Sequence, residues 1–135
     1  MRFDTKIGIV VRDDLASWQR LNVTAFLASA VASIRELIGA PYRDGSGNEY
    51  LPMLRQPVLV FTGDAAALTT AHGRALARGV GLAIYTEELF ATGNDDDNRA
   101  AVAAVPVDKL NLVGLAVHGP RNAVDKILKG LSLHP

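Results

Sequence analysis

The chain has 135 residues, of which 49% are hydrophobic and 21% are charged. This composition is typical of a globular domain with a continuous core, and it excludes a disordered chain. The sequence contains no cysteine, which excludes disulfide frameworks, thiolate nucleophiles and cysteine-ligated metal centres. We predict a single domain over residues 1–135 and a cytoplasmic location, because no apolar stretch reaches the length of a membrane span or a secretion signal.

The charges of the sequence are balanced and dispersed. Fourteen lysines and arginines match fourteen aspartates and glutamates, and the basic residues are scattered along the chain. Proteins that bind a nucleic-acid backbone tightly depend on a basic surplus or a basic stripe. Tight binding of RNA or DNA is therefore not expected, and neither is a membrane partner.

The first half of the sequence predicts a strand, a helix and a hairpin. Residues 6–12 form a β-branched run bounded by charges, which is typical of a buried strand. After a short connection that includes Trp18, apolar side chains recur at spacings of three and four, which predicts a helix over residues 21–39. The turn-forming run within residues 42–53 predicts an exposed hairpin.

The second half of the sequence alternates strands with helices. We predict strands over 57–62, 81–85 and 110–118, and helices over 65–78, 95–105 and 121–131. Asp64 is placed to cap the first of these helices and Gly79 to end it, while Asn94 or Asp95 caps the second. The alternation predicts an α/β fold with a mostly parallel sheet that helices cover on both faces.

Three stretches of the chain resemble type II peptidyl-tRNA hydrolases when they are taken in order. Residues 6–15 (KIGIVVRDDL) resemble the family's first strand, residues 57–85 its middle strand, helix and strand, and residues 110–135 its last strand, glycine-proline turn and helix. The resemblance implies a three-layer α/β/α sandwich on a four-stranded mixed sheet. It also implies a homodimer.

Two further strings resemble an uncharacterised bacterial family, number 2000 in the series of domains of unknown function, which shares that fold. They are WQRLNVTAFLAS at residues 18–29 and IYTEELFATGNDDDNRAAVAA at residues 84–104. The second string replaces the aspartate-alanine-glycine-arginine-threonine loop that follows the third strand of the hydrolases. The resemblance to this family is closer than the resemblance to the hydrolases, and the chain is identified as a member of it.

The catalytic positions of the hydrolases carry different side chains in this sequence. The hydrolases place a lysine, a glutamine and a histidine on one face of the first helix, and aligning the strand ends puts these positions at Asn22, Phe26 and Ser29. An ammonium stabilises an oxyanion and an imidazole transfers a proton, and the three replacements do neither in the same way. Asp14 matches the aspartate of the family.

Polar side chains after the third predicted strand provide the second half of a candidate site. Loops at the ends of strands are where open α/β sheets bind ligands. The predicted pocket combines this loop with the start of the first helix and is lined by Asp14, Trp18, Asn22, Thr86, Glu87, Asn94 and Arg99. Our first hypothesis is a small-molecule or regulatory binding module that uses no metal and no cofactor, since helix capping explains the acids at 95–97 and the histidines lack metal-ligand spacing.

Two alternatives come from other functional classes. The first is a hydrolase that acts on an ester or amide bond, such as that of peptidyl-tRNA, with Asp14 and Glu87 as acid or base and Asn22 as an oxyanion donor. The second is a structural protein-interaction module, which predicts a closed cleft and a large apolar interface. The small side chains that follow Asn22 along the helix fit a subunit contact as well as a pocket floor.

Overall fold

The computed structural model of the protein describes residues 2–135. The strands and α-helices of this range are, in chain order, β1 (Thr5–Arg12), α1 (Ser17–Ala32), β2 (Tyr42–Arg43), β3 (Glu49–Tyr50), β4 (Val58–Gly63), α2 (Ala65–Arg78), β5 (Gly81–Thr86), α3 (Asp95–Ala103), β6 (Leu112–Pro120), α4 (Arg121–Ile127) and β7 (Ser132–Leu133). Short 3-10 helices cover Arg35–Leu37, Glu87–Ala91 and Val107–Lys109. Of the helices described, none combines the length with the apolar character that a membrane crossing requires.

Five strands form one mixed sheet in the order β5–β6–β1–β4–β7. Strands β1 and β4 are parallel, whereas the other neighbouring pairs of this sheet are antiparallel. The prediction of a mostly parallel sheet is therefore wrong, because the segment after β5 returns to the same edge and starts β6 opposite Thr86. The predicted number of four strands is also wrong, since β7 pairs with β4 and is too short to give a periodic signal.

Helices cover both faces of the sheet, as predicted. Helix α1 packs on one face against β1, β5 and β6, and α2 and α4 pack on the other face. Successive side chains of a strand point to opposite faces, so that Ile9 joins the core beneath α1 and Val10 joins the core beneath α2 and α4. The uninterrupted apolar run of β1 thus serves two cores.

Helix α1 occupies residues 17–32 instead of the predicted 21–39. The Gln19 side chain accepts a hydrogen bond from the Ala16 backbone N–H at 3.0 Å, which stabilises the first turn and places Trp18 within the helix. The helix ends before Ile34, whose backbone is extended. Apolar periodicity continues beyond that point because Ile34 and Leu37 still pack on the core beneath α1.

The predicted hairpin is confirmed as strands β2 and β3. Asp44 organises its turn, since its side chain accepts hydrogen bonds from the backbone N–H groups of Ser46 at 2.9 Å and Asn48 at 3.0 Å. The Tyr50 hydroxyl donates to the same carboxylate at 2.8 Å. Hydrogen bonds from the Asn48 and Tyr50 side chains lower the pKa of Asp44 to about 2.

The residues predicted to begin and end helices are also confirmed. Asp64 caps α2 by accepting a hydrogen bond from the Ala67 backbone N–H at 2.8 Å. Gly79 ends α2 in the left-handed conformation, with a φ of 63°. Asn94, rather than Asp95, caps α3 by accepting from the Asp97 backbone N–H at 2.9 Å.

Close approach of α1 to β6 depends on the absence of a side chain at Gly114. A Cβ atom there would lie 2.5 Å from Val23 Cγ1 and 3.0 Å from both Leu27 Cδ1 and the Val10 carbonyl oxygen. Gly114 also lies directly opposite Tyr85 in the β5–β6 register. This contact therefore sets the height of α1 above the part of the sheet that carries Tyr85.

Gly114→Ala is expected to lower the free energy of unfolding by about 1–3 kcal/mol, because the added methyl group overpacks the α1–β6 contact. A matched control is Gly73→Ala on α2, where a Cβ atom meets nothing within 4 Å. That substitution is expected to raise the free energy of unfolding by about 0.5–1 kcal/mol through helix propensity. Urea unfolding of both variants measures the difference, and equal effects would contradict the proposed contact.

The hairpin turn is expected to lose its order only in strong acid. The pKa of Asp44 in the folded protein, about 2, lies below its usual value of 3.8, so the ionised carboxylate stabilises the turn fully above pH 3.8 and this contribution disappears as pH falls through 2. NMR titration of the Asn48 and Tyr50 signals measures the midpoint. Asp44→Asn should remove the transition, whereas a midpoint at the usual carboxyl value would refute the hydrogen-bonded turn.

Candidate functional site

The carboxyl ends of β1, β4 and β5 and the start of β6 meet at one edge of the sheet. The strand registers place Arg12 beside Gly63 and Thr86 beside Leu112. The start of α1 follows β1 at this edge, and the 3-10 helix Glu87–Ala91 and α3 follow β5. The two segments that the sequence assigns to a site thus leave the sheet on the same side.

A pocket of about 370 Å³ lies between α1 and the segment after β5. Its volume falls within the range of about 300–1,000 Å³ that is typical of small-molecule sites. Its lining combines aromatic, amide and small polar residues, which are Trp18, Asn22, Phe26, Tyr85, Leu89, Phe90, Thr92, Gly93, Asn94, Asp95 and Asn98.

Four aromatic side chains form one wall of this pocket and contact each other in sequence. The ring centroids of Trp18 and Phe90 are 5.6 Å apart, those of Phe90 and Tyr85 are 5.2 Å apart, and those of Tyr85 and Phe26 are 5.8 Å apart. Tyr85 is buried, but Trp18 is 60% exposed and Phe26 is 52% exposed. We call these four residues the aromatic cluster. A contiguous exposed apolar patch of this kind marks binding surfaces more often than it marks ordinary protein surface.

A neutral hydrogen bond connects α1 to the aromatic cluster. The Asn22 side-chain amide donates to the Tyr85 hydroxyl oxygen at 3.1 Å. Burial raises the pKa of the Tyr85 phenol, and the hydrogen bond from Asn22 opposes that effect in part. Tyr85 therefore keeps its proton at neutral pH, and its hydroxyl oxygen accepts the hydrogen bond from Asn22.

The opposite rim of the pocket is fixed by hydrogen bonds around the start of α3. The Thr92 hydroxyl donates to the Asn98 side-chain oxygen. The Asn94 amide donates to the Asp97 carboxylate at 3.0 Å while its oxygen caps the helix. These bonds hold the rim in a single conformation, which limits the ordering that a ligand must impose on binding.

Two of the predicted site residues, Asp14 and Glu87, lie outside the pocket lining and form hydrogen bonds with Arg12. Its guanidinium donates to Asp14 at 2.6 Å, to Glu87 at 3.3 Å and to the Asn111 side chain at 3.0 Å. The hydrogen bond from Arg12 lowers the pKa of Asp14. Asp14 and Glu87 thus share a sheet edge as expected, but they join β1, β5 and β6 through Arg12 and do not line the pocket.

Thr86 and Arg99 also lie apart from the pocket. Thr86 is 2% exposed, and its hydroxyl has no hydrogen-bond partner among residues 2–135. Arg99 extends along the surface of α3, where its Nε donates to Asp95 at 2.9 Å. The structure therefore gathers three of the predicted residues, Trp18, Asn22 and Asn94, and leaves Asp14, Thr86, Glu87 and Arg99 outside the lining.

Two of the three positions that match hydrolase catalytic residues face the pocket. Asn22 and Phe26 line it, whereas the Ser29 hydroxyl donates to the Phe26 carbonyl oxygen at 2.6 Å. Phe90 and Asn98 line the pocket and were not predicted from the sequence. An aromatic residue within a polar segment after a strand is the signal that indicates Phe90.

Acidic side chains near the pocket have protein partners. Asp95 pairs with Arg99 and Asp97 with Asn94. Within the described part of the chain, no group of three metal-ligating side chains is arranged to hold an ion. Helix capping and local pairing account for the acidic run at residues 95–97.

Residues 5–135 match the family described as "Protein of unknown function (DUF2000)". The chain belongs to this family. It is also similar to a solved structure of a protein of unknown function from Agrobacterium tumefaciens strain C58, with 49% sequence identity and a TM-score of 0.95, and the match covers 99% of this chain and 100% of the other. No curated protein is similar enough to count as a relative. This membership confirms the resemblance of residues 18–29 and 84–104 to family number 2000, and it supplies no activity.

Phe90→Ala is expected to change the fluorescence of Trp18, which is the sole tryptophan of the sequence. Removing the ring that packs edge-on against the indole should shift its emission to longer wavelength and increase quenching by iodide. A matched control is Leu76→Ala, which removes an apolar side chain that is 55% exposed on α2. Unchanged emission in the Phe90 variant would contradict the aromatic cluster.

Proposed function

We propose that this protein is a small-molecule-binding module on a type II peptidyl-tRNA hydrolase-like scaffold, without that enzyme's catalytic residues. The observation that carries the proposal is the open pocket between α1 and the segment after β5. Asn22 and Phe26, which line this pocket, stand at the positions that align with the lysine and the glutamine of the hydrolases.

The arrangement of helices and strands supports the proposed scaffold. Helix α1 covers one face of the mixed sheet, and α2 and α4 cover the other. This arrangement agrees with a three-layer α/β/α sandwich, to which β7 and the β2–β3 hairpin are additions. The resemblance of residues 6–15, 57–85 and 110–135 to the hydrolases supports the same proposal.

The chemistry of the pocket favours binding over hydrolysis. A general acid must hold a proton at the working pH, and a general base must reach the reacting group. Asp14 is kept ionised by Arg12, and both Asp14 and Glu87 are directed to that guanidinium. The Asn22 amide is directed to the Tyr85 hydroxyl rather than to an open oxyanion position.

The open pocket also favours a ligand over a purely structural role. A protein-interaction module predicts a closed cleft at this position, whereas Trp18 and Phe26 are each more than half exposed. Aromatic side chains provide a large apolar contact area, and the amides of Asn22 and Asn98 provide directional hydrogen bonds. This combination is typical of sites for small molecules.

A fragment screen that follows Trp18 fluorescence and thermal unfolding tests the proposal. A ligand present at 100 times its Kd should stabilise the protein by about 2.7 kcal/mol. Its binding should weaken in Asn22→Ala and Phe90→Ala and remain unchanged in Leu76→Ala. Ligands that bind equally well to all three variants would place the site elsewhere.

A parallel assay addresses the hydrolase alternative. The purified protein is incubated with a peptidyl-tRNA substrate, and release of free peptide is measured. We expect no release above that of a heat-unfolded sample. Release that is lost in Asn22→Ala would overturn the binding proposal in favour of hydrolysis.

A further inference from the structure

We propose that the ligand of this pocket is an organic cation, with a methylated or protonated amine as the group that enters the aromatic cluster. The inference rests on the proposed function and specifies its ligand class. It follows from two independent features, which are the angles between the aromatic rings and the sign of the charges around the pocket.

The rings of the aromatic cluster are inclined to each other rather than parallel. The interplanar angle is 70° between Trp18 and Phe90, 50° between Tyr85 and Phe90, and 55° between Phe26 and Tyr85. A flat ligand such as a nucleobase stacks best between parallel faces, and none of these contacting ring pairs provides them. The pocket that these inclined rings border is concave and fits a rounded group, as substituted ammonium groups are.

The electrostatics of aromatic rings favour a positive charge at this surface. The face of each ring carries negative partial charge and attracts a cation within about 6 Å of the ring centroid. Tryptophan gives the strongest attraction of the aromatic residues. Trp18 is 60% exposed, so it is free to contact a ligand.

The ionisable groups at the pocket also favour a positively charged ligand. Among residues 2–135, no lysine, arginine or histidine lines the pocket, and Asp95 is its ionisable acid. The segment from Glu87 to Arg99 contains five acidic residues and one arginine. Two arginines at this edge of the sheet form ion pairs with carboxylates: Arg12 with Asp14 and Glu87, and Arg99 with Asp95. An anionic ligand would therefore meet the Asp95 carboxylate and, among residues 2–135, no cationic side chain in the lining of the pocket.

One feature of the site favours an anion, and its effect is outweighed. The N-terminus of α3 lies at the rim, and a helix N-terminus carries about half a positive charge. The Asn94 side chain already accepts from the Asp97 N–H, and Asp95, Asp96 and Asp97 occupy the first turn. Asp95 is paired with Arg99, and the two remaining carboxylates still exceed half a charge, so the local field stays negative.

Choline and its neutral isostere 3,3-dimethylbutan-1-ol provide a matched pair of probes. The two molecules have nearly the same shape and differ in charge, so their affinity ratio isolates the contribution of the cation. Trp18 fluorescence and NMR chemical shifts measure binding. Choline is expected to bind roughly ten-fold more tightly than the isostere, and benzoate is expected to bind more weakly than either.

Variants locate the cation within the pocket. Phe90→Leu keeps an apolar side chain but removes a ring, and it should reduce the choline preference while Trp18 still reports binding. Asp95→Asn should weaken choline binding a few-fold without changing the affinity of the isostere. Asp108→Asn, which removes an acid outside the pocket lining, serves as the control and should have no effect.

These titrations test the cation inference separately from the proposed binding function. Equal affinity for choline and its isostere, or tighter binding of benzoate, would overturn the cation inference and leave the binding function standing. Choline binding that is unaffected by both Phe90→Leu and Asp95→Asn would place the cation elsewhere and also overturn the inference. If no probe, including neutral aromatic fragments, perturbs Trp18, the proposed function fails together with the inference.

Discussion

The close approach of α1 to β6 at Gly114 determines the geometry of the candidate site. Val23 and Leu27 pack directly over Gly114, and Tyr85 is its partner in the neighbouring strand. Asn22 and Phe26 each precede one of these packed residues, so they are carried to the Tyr85 ring at hydrogen-bonding and ring-contact distance. A packing constraint in the core, rather than any polar contact, therefore brings the two halves of the pocket together.

Most charges at this edge of the sheet are paired with each other, and among residues 2–135 Asp95 is the one charged side chain in the lining of the pocket. Arg12 joins the ends of three strands through Asp14, Glu87 and Asn111. Since Arg12 is mostly buried, these partners also satisfy a guanidinium that burial would otherwise destabilise. Apart from Asp95, the pocket is left with aromatic faces, amide groups and small side chains, so that its ligand preference depends on these contacts together with the Asp95 carboxylate.

Features that depend on a few neighbouring residues, such as helix ends, can be predicted from the sequence. Features that depend on contacts between distant segments, such as strand direction, cannot. Asp64 and Gly79 mark the ends of α2 because capping and left-handed backbone are local chemistry. The direction of β6 depends on residues 87–111, which keep the chain at the end of the sheet where β5 finishes, and no local pattern encodes this path. At the site, Trp18 and Asn94 were predicted from their position near strand ends and Asn22 from its alignment with a catalytic position of the hydrolases, whereas the orientation of Arg99 depends on its i,i+4 pairing with Asp95.

The two-residue strand β7 has a consequence for the protein's behaviour at high concentration. Strand β7 pairs with β4, which would otherwise be the edge strand of the sheet, and the His134 N–H group donates a hydrogen bond to the Val60 carbonyl oxygen of β4. Arg20 of α1 holds His134 in place at 3.1 Å. Unpaired strand margins act as templates for pairing between molecules and for aggregation. Residues 132–134 thus shield the part of β4 around Phe61 and Thr62 from other copies, and α1 contributes to this protection while it also forms one side of the pocket.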